Sequence, residues 1–243
     1  MSERGDPGGP EGQAQRHALP GVLPIFPLIG VLLLPRGRLP LNIFEPRYLA
    51  MTRDALGGER LIGMIQPSDP QGEHGPREHG PREHGIGGMN PPVYPVGCAG
   101  RITQFSETDD GRFLITLTGV SRFRIVEELP LLSGYRRVVP DWQAFAQDRE
   151  ARVAPQFDRA RLVRGLKNFF GQRQLSADWS AIEKAPAEQL VTSIAMACPF
   201  APSEKQALLE AADLEQRATL LTGLVEMAAI KPTTDEDDTG TRH

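Results

Sequence analysis

The sequence predicts an α+β protein in which a strand-rich first half is followed by a helical second half. From residue 22 to about 142, apolar residues alternate with polar ones, and from about 155 to 230 they recur at helical spacing. The first half also contains several short strands separated by turn residues, which favours a closed or nearly closed sheet. We therefore predict a β-barrel followed by a C-terminal helical bundle.

The sequence evidence for a strand differs from one segment of the first half to the next. The apolar run at 22–34 contains prolines and is too short for a membrane span, so it predicts a buried strand pair. The clearest hairpin joins strands at 102–106 and 113–118 through the turn Asp109-Asp110-Gly111. The alternation of Phe113, Ile115 and Leu117 predicts that one face of its second strand is buried.

Gly119 is expected to interrupt this second strand, with further strands at 122–125 and 135–139. One helix is predicted among the strands, at 46–56. Pro46 suits its first position, and the two glycines that follow, Gly57 and Gly58, suit its end.

The second half shows helical patterns at 157–170, 186–198 and 214–229. Ser203 and Asp213 are each followed three residues later by Gln, a pattern typical of a helix N-cap with its capping-box partner. These signals predict a helical bundle with short connections.

The domain organisation follows from these patterns and from composition. Residues 1–20 and the acidic segment 232–243 are predicted to be disordered tails, because they carry too little apolar surface to offset the entropy of ordering. The barrel is assigned to 21–145, with a flexible His/Gly/Pro-rich loop at 69–90, and the helical subdomain to 146–231.

Composition and charge narrow the function classes. The net charge of −4 gives no overall attraction for nucleic acid or for an anionic membrane. Cys98 and Cys198 are the only cysteines and form no CxxC pattern, so neither a disulfide framework nor a zinc site is predicted. No signal peptide or membrane segment is expected, and a reducing, cytoplasmic location fits best.

Five motifs in the strand-rich half resemble one family. They are LPIFPL (23–28), LPRG (34–37), LNIFEPRY (41–48), VGCAGRI (96–102) and GVSRFRI (119–125). Their order and spacing are similar to those of the N-terminal substrate-binding domain of the Lon proteases. PAEQL (186–190), KQALLE (205–210) and LEQR (214–217) look like the helices that follow the barrel in that family. The resemblance implies a PUA-like β-barrel followed by a helical bundle.

The resemblance also implies a function. The sequence contains no GxxxxGK[ST] motif, and nothing in it corresponds to the family's proteolytic Ser and Lys. We therefore expect a stand-alone, non-catalytic substrate-binding-domain protein without a cofactor, bacterial in composition, whose partner is unfolded or extended polypeptide. An adaptor role in protein quality control, with a protease or chaperone as further partner, is one expectation. An RNA-binding PUA-like protein is the alternative, an unrecognised enzyme is the third class that stays open, and the oligomeric state is left open.

A repeat in the central loop is the one cluster of metal-ligating residue types. His74, His79 and His84 alternate with glutamates, and such a set can collect Ni, Cu or Zn. Because a period of five in a Gly/Pro segment does not preset a tetrahedral geometry, a tolerant surface loop is the favoured interpretation. No metal site is predicted, and metal binding by the loop stays open.

Glu45, Arg47 and Tyr48, at the start of the predicted helix, form a candidate recognition surface. The favoured interpretation is structural, with Glu45 near the positive end of the helix dipole, Arg47 paired locally and Tyr48 packed on the barrel.

A basic helix face is the candidate site for RNA. Its members are Arg161, Arg164 and Lys167, with Arg149, Arg152 and Arg173 nearby. Interleaved acidic residues and the lack of exposed aromatics for base stacking favour a solvated surface instead.

No catalytic, cofactor-binding or metal-binding residue is predicted. Cys98 and Cys198 lie in apolar segments, where thiols are usually inert. Because His17, His243 and the loop histidines all fall outside the expected folded core, histidine-dependent acid/base catalysis is not expected. The sequence does not assign a partner-binding surface beyond apolar side chains on the barrel or at its junction with the helices.

Overall fold

The computed structural model describes residues 19–68, 91–150 and 155–230. The strands are β1 (Leu23–Pro27), β2 (Arg38–Ile43), β3 (Leu61–Ile65), β4 (Val96–Glu107), β5 (Phe113–Leu132) and β6 (Tyr135–Asp141). The helices are α1 (Pro46–Gly57), a 3-10 helix (Gln143–Arg149), α2 (Arg159–Gln172), α3 (Trp179–Lys184), α4 (Ala187–Ala197), α5 (Pro202–Glu210) and α6 (Leu214–Ile230). The predicted α+β class, with strands first and helices second, is confirmed.

The six strands form one sheet that closes on itself. Strand β5 has 20 residues, and its first part pairs with β2 while its last part pairs with β6. Strand β6 also pairs with β1, which runs parallel to β3, and β3 pairs with β4, which returns to β5. The ring is therefore β1-β3-β4-β5-β6, with β2 added along β5. The predicted hairpin is confirmed as β4 and β5, and helix α1 lies where it was predicted.

The prediction that Gly119 interrupts the second hairpin strand is wrong, because β5 continues through it. The pairing of β4 with β5 shifts register beside this residue, between Ala99 and Gly100. At Gly119 the backbone of Leu34 comes so close that a Cβ atom would collide with its carbonyl oxygen. The glycine therefore marks a close backbone approach within a strand instead of a strand end.

The predicted strand pair at 22–34 is also wrong, since only β1 forms there. Residues 32–34 are buried without joining the sheet. The turn after them is held by backbone bonds from Gly37 N to Leu34 O (2.9 Å) and from Arg36 N to Gly119 O (2.8 Å). Apolar content alone does not separate a strand from a buried loop, and here the loop carries its hydrogen bonds to β5.

Two helix signals had different outcomes. Asp213 is confirmed as a cap, because its Oδ1 accepts from Gln216 N at 2.8 Å before α6. Ser203 is not a cap, since α5 begins one residue earlier at Pro202 and Ala201 N donates to Glu204 Oε2 at 2.8 Å. Proline at the first position preorganises the helix, which explains the earlier start. Helix α3 was not predicted from the sequence.

A buried ion pair joins the barrel to the helices. Arg122 on β5 forms a bidentate contact with Asp148 of the 3-10 helix, with Nε to Oδ2 at 2.8 Å and Nη2 to Oδ1 at 2.9 Å. Its Nη1 donates to the carbonyl oxygens of Leu209 (2.9 Å) and Ala211 (2.6 Å), at the end of α5. One guanidinium therefore connects a strand, the 3-10 helix and the helical region, and it fixes how the two halves meet.

Candidate functional site

A cleft of about 760 Å³ lies where the barrel meets the helical region. One wall consists of residues 30–32 and 36–39, which form the loop after β1 and the start of β2. The other wall is the length of α4, together with Lys205 from α5. The volume falls in the range of about 300–1,000 Å³ that is usual for ligand sites. This junction is one of the two places where the sequence predicted an apolar contact surface.

The barrel wall has an irregular backbone that β5 holds in place. Gly30 and Arg36 have φ angles of +69° and +65°, in the left-handed region. Gly119 on β5 donates its N–H to Gly37 O at 2.8 Å, and its own carbonyl accepts from Arg36 N. A side chain on Gly37 would collide with Met196 of α4, so this glycine lets the helix lie close to the turn. Backbone hydrogen bonds to β5 and the close contact with α4 therefore hold this wall in place.

The helical wall presents one face of α4. Gln189, Ser193 and Met196 lie at the spacing i, i+4, i+7, which places them on a single stripe facing the cleft. At 1.5 Å per residue, the distance from Glu188 to Ala197 is about 13 Å. A chain in extended conformation rises about 3.3 Å per residue. The cleft therefore has the length of about four extended residues.

The surface between the walls is mainly apolar. Leu32 is buried at its base, and Val31, Leu39 and Met196 are half-buried. Thr192 adds a buried hydroxyl to the same helix face. Apolar side chains that are only partly covered gain further burial when a ligand enters, which favours binding of an apolar segment.

An ion pair crosses the cleft at the N-terminal end of α4. Arg36 Nη1 lies 2.6 Å from Glu188 Oε1, and Arg36 Nη2 donates to Glu150 O at 3.0 Å. Both side chains of the pair remain partly exposed, with 44% and 26% of their surfaces accessible. Arg36 therefore links the barrel loop to α4 and to the end of the 3-10 helix, and it marks one end of the cleft.

Lys205 lies near the opposite end, beside the C-terminus of α4. The residue is only 7% exposed, and its Nζ donates to Gly30 O at 2.7 Å. Burial lowers the pKa of its ammonium group, and the nearby Cys198 thiol opposes this shift. Within the described ranges, Lys205 forms no ion pair with a carboxylate. Arg36 and Lys205 lie in the LPRG and KQALLE motifs that carry the family resemblance, but neither of them was predicted from the sequence to have a role in a site.

The candidate surface at the start of α1 is a locally paired cluster. Arg47 Nη2 lies 2.8 Å from Glu45 Oε2, and its guanidinium carbon lies 4.5 Å from the centroid of the Tyr48 ring. Tyr48 is 6% exposed and packs on Phe26, and burial raises its pKa. A smaller cavity of about 260 Å³ opens beside Arg47 and Tyr48. These are the contacts that the structural interpretation predicts.

Two of the basic residues of α2 pair with carboxylates. Arg161 makes two contacts of 2.7 Å with Glu226, and Lys167 Nζ lies 3.0 Å from Glu183 Oε1. The other members within the described residues are Arg149, Arg164 and Arg173. Arg152 lies outside the described residues. Paired cations release fewer counterions when a phosphate binds, so this face is a weaker RNA site than the sequence suggests.

Both thiols are buried. Burial raises the pKa of Cys198 to about 11 and that of Cys98 still further, so both are protonated at neutral pH. His74, His79 and His84, like His17 and His243, lie outside the described residues. Among the residues described, no group of three or more His, Cys, Asp or Glu side chains could hold a metal ion. None of the described helices has the length and apolar character that a membrane crossing requires.

Comparisons with known proteins agree on one family. The model of the ATP-dependent protease La (LON) substrate-binding domain matches residues 22–226. The Lon protease of Dictyoglomus thermophilum is 24% identical over 220 residues, and Lon protease 2 of Myxococcus xanthus is 25% identical over 219 residues. These alignments cover 86% and 89% of this chain but only 24% and 25% of the relatives. The chain therefore spans about a quarter of the length of these proteases.

Two solved structures share the fold. The Lon N-terminal domain protein from Xanthomonas campestris superposes with a TM-score of 0.56 at 21% identity, over 83% of this chain and 97% of that one. The N-terminal domain of the Mycobacterium avium complex Lon protease gives a TM-score of 0.53 at 15% identity, over 84% and 97%. With a family model that matches residues 22–226, this chain belongs to the LON substrate-binding domain family.

Proposed function

We propose that this protein binds unfolded or extended polypeptide in the cleft between the barrel and α4, and that it performs no covalent chemistry on the bound chain. The observation that supports the proposal is the cleft itself, which is mainly apolar, has a volume of about 760 Å³ and lies at the junction of the two halves. Membership of a substrate-binding family makes polypeptide the ligand class to test first.

The dimensions and chemistry of the cleft support this ligand. It has the length of about four extended residues, and its walls combine half-buried apolar side chains with the polar groups of Gln189 and Ser193. Apolar side chains of an unfolded segment would cover Val31, Leu39 and Met196, and the polar groups would receive hydrogen bonds from its backbone. A folded protein exposes few such segments, so selectivity for unfolded chains follows from the same contacts.

The finer expectations from the sequence belong to the same proposal. We propose a non-catalytic, cytoplasmic role as an adaptor that holds polypeptide for a protease or a chaperone. The buried, protonated thiols support the absence of chemistry, because neither offers a thiolate nucleophile. The RNA-binding alternative has less support, since Arg161 and Lys167 already contact carboxylates.

The test is a titration of a fluorescently labelled unfolded model protein and of a structured RNA, each at two salt concentrations. Polypeptide binding through apolar contacts should survive moderate salt, whereas RNA binding through phosphates should fall steeply. Ser193→Trp places a large side chain in the cleft and should weaken polypeptide binding at least about tenfold. Ser180→Trp, at an exposed position of α3 away from the cleft, is the matched control.

Two results would contradict the proposal. Tight, salt-sensitive binding of RNA without binding of polypeptide would favour the RNA-binding alternative. Equal polypeptide affinity in Ser193→Trp and Ser180→Trp, with both variants folded by circular dichroism, would remove the cleft as the binding site.

A further inference from the structure

The most unusual group in the cleft is a buried ammonium group, that of Lys205, which has no carboxylate partner in the part of the chain that the structure describes. Lys205 is 7% exposed, and within the described residues its hydrogen bond is the one to the carbonyl oxygen of Gly30. An ammonium group has three N–H donors, so one carbonyl satisfies only part of its capacity. Buried charges in proteins are generally paired, because removal from water without a counter-charge is costly.

The surroundings of Lys205 explain why no neighbour among the described residues supplies this counter-charge. The nearest acidic side chain in the same cleft is at its other end, where Glu188 pairs with Arg36. The thiol of Cys198 is protonated at neutral pH, since burial raises its pKa to about 11. Arg38 also lines the cleft, but it is exposed to water and donates from Nη2 to Gln104 Oε1 at 3.4 Å. Among the described residues of the lining, Lys205 is therefore the buried cation that lacks a carboxylate partner.

We propose that the cleft binds the C-terminal end of a polypeptide, with the terminal carboxylate paired to the Lys205 ammonium group. The proposal rests on the proposed function and specifies its ligand. The last few residues of the bound chain lie along α4, from the Arg36–Glu188 pair toward Lys205. Their apolar side chains cover Val31, Leu39 and Met196.

Charge and access together favour a chain end over an acidic side chain. A carboxylate supplies the negative charge that Lys205 lacks, and a charge-assisted bond in a partly buried site is stronger than one in water. Only a small part of Lys205 is accessible. A ligand can therefore place a carboxylate beside the ammonium group only if few other atoms surround that carboxylate. A terminal carboxylate has chain on one side only, whereas an Asp or Glu within a segment brings backbone on both sides.

The direction of the bound chain follows from the positions of the two ends. Along α4, the lining residues Glu188 and Ala197 are about 13 Å apart, a length that accommodates about four extended residues. A longer chain extends out of the cleft past the Arg36–Glu188 pair, where both side chains are partly exposed. The body of a large substrate can therefore remain outside while its C-terminus is held.

The experiment measures fluorescence anisotropy with three short peptides labelled at their N-termini. The first ends in Leu-Ala-Leu-Leu as the free acid, the second is the same peptide as its C-terminal amide, and the third is an amide with Glu in the second-last position. The free acid should bind the protein about tenfold more tightly than the simple amide. The Glu-containing amide should bind no better than the simple amide.

Variants connect this preference to Lys205. Lys205→Met keeps the apolar stem without the charge and should bind acid and amide equally, while Lys205→Arg should retain the preference. Lys167→Met, on the exposed face of α2, is the matched control and should behave like the wild type. If Lys205→Met does not fold, the comparison of acid with amide on the wild-type protein still decides the question.

The outcomes separate this inference from the proposed function. Equal binding of acid and amide by the wild type overturns the role of the carboxylate. Binding of the Glu-containing amide as tightly as the acid overturns the assignment to a chain end. If acid and amide bind equally and Ser193→Trp weakens both, the cleft is still the polypeptide site. If Ser193→Trp weakens neither, the proposed function itself fails.

Discussion

Replacement of Asp148 by Asn should remove the counter-charge of the most buried cation in the described structure. The Arg122 and Asp148 side chains are 1% and 0% exposed, and Arg122 Nε and Nη2 contact the two carboxylate oxygens at 2.8 and 2.9 Å. Asp148 Oδ2 also accepts from the backbone N–H of Arg122 at 2.9 Å. Asn has nearly the same shape, so the change tests charge and hydrogen bonding with little change in packing.

The expected loss of unfolding free energy is about 3–5 kcal/mol, the range for a buried ion pair that loses one partner. The amide can still accept one bond through its oxygen, but its NH2 group faces a donor and the guanidinium charge stays buried. The carbonyls of Leu209 and Ala211 and the Phe145 ring, 4.4 Å from the guanidinium, offset only part of this cost. Typical domains are stable by about 5–15 kcal/mol, so the loss is large.

Urea denaturation followed by circular dichroism gives the free energy and the m-value for each variant. Glu183→Gln is the control, since it breaks the Lys167–Glu183 pair, whose side chains are 48% and 55% exposed, and should cost about 0–1 kcal/mol. The double variant Arg122→Met/Asp148→Asn should lose less than the sum of the two single changes, because it removes the Arg122 charge and its Asp148 counter-charge together. A loss below about 1 kcal/mol in Asp148→Asn would refute the argument that this pair holds the halves together.

Two further changes test the close contacts and the buried thiol. Gly119→Ala would place a Cβ 2.8 Å from the carbonyl carbon of Leu34, so we expect a loss of at least about 2 kcal/mol in urea denaturation. Gly171→Ala, in an open position of α2, should be neutral or stabilising by up to about 1 kcal/mol, and equal effects of the two changes would contradict the steric argument. The Cys198 pKa is raised from 9.0 to about 11 by burial, so the thiol contributes stability below pH 9 that is lost as the pH rises through about 11. The stability of Cys198→Ala should therefore fall less than that of the wild type between pH 9 and 11, and parallel pH curves would contradict this expectation.

The elements predicted correctly from the sequence have local causes. The hairpin of β4 and β5 follows from alternation and a turn containing Asp109, Asp110 and Gly111. Helix α1 begins with Pro46, and Asp213 caps α6 through a bond to a residue three positions away. Each of these signals lies within a few residues of the structure that it specifies. A single sequence is therefore sufficient to predict that structure.

The errors arose where backbone partners are distant in sequence. The apolar segment at 32–34 was predicted as a strand, but the turn after it bonds to Gly119 on β5 instead of forming a ladder. For the same reason Gly119 was read as a strand end, although its role is to admit the backbone of Leu34. Apolar composition indicates burial, and it does not indicate which backbone will approach.

The sequence by itself determined the α+β class, the order of strands before helices, and the motifs that indicate the LON substrate-binding domain family. Only the tertiary structure decided the cleft proposed as the binding site, because its walls come from distant parts of the chain. Lys205 and Gly30 are 175 positions apart, and Arg36 and Glu188 are 152 apart. Periodicity and capping reflect local hydrogen bonding and burial, whereas these pairs meet only in the tertiary structure, where Arg122 contacts the end of α5.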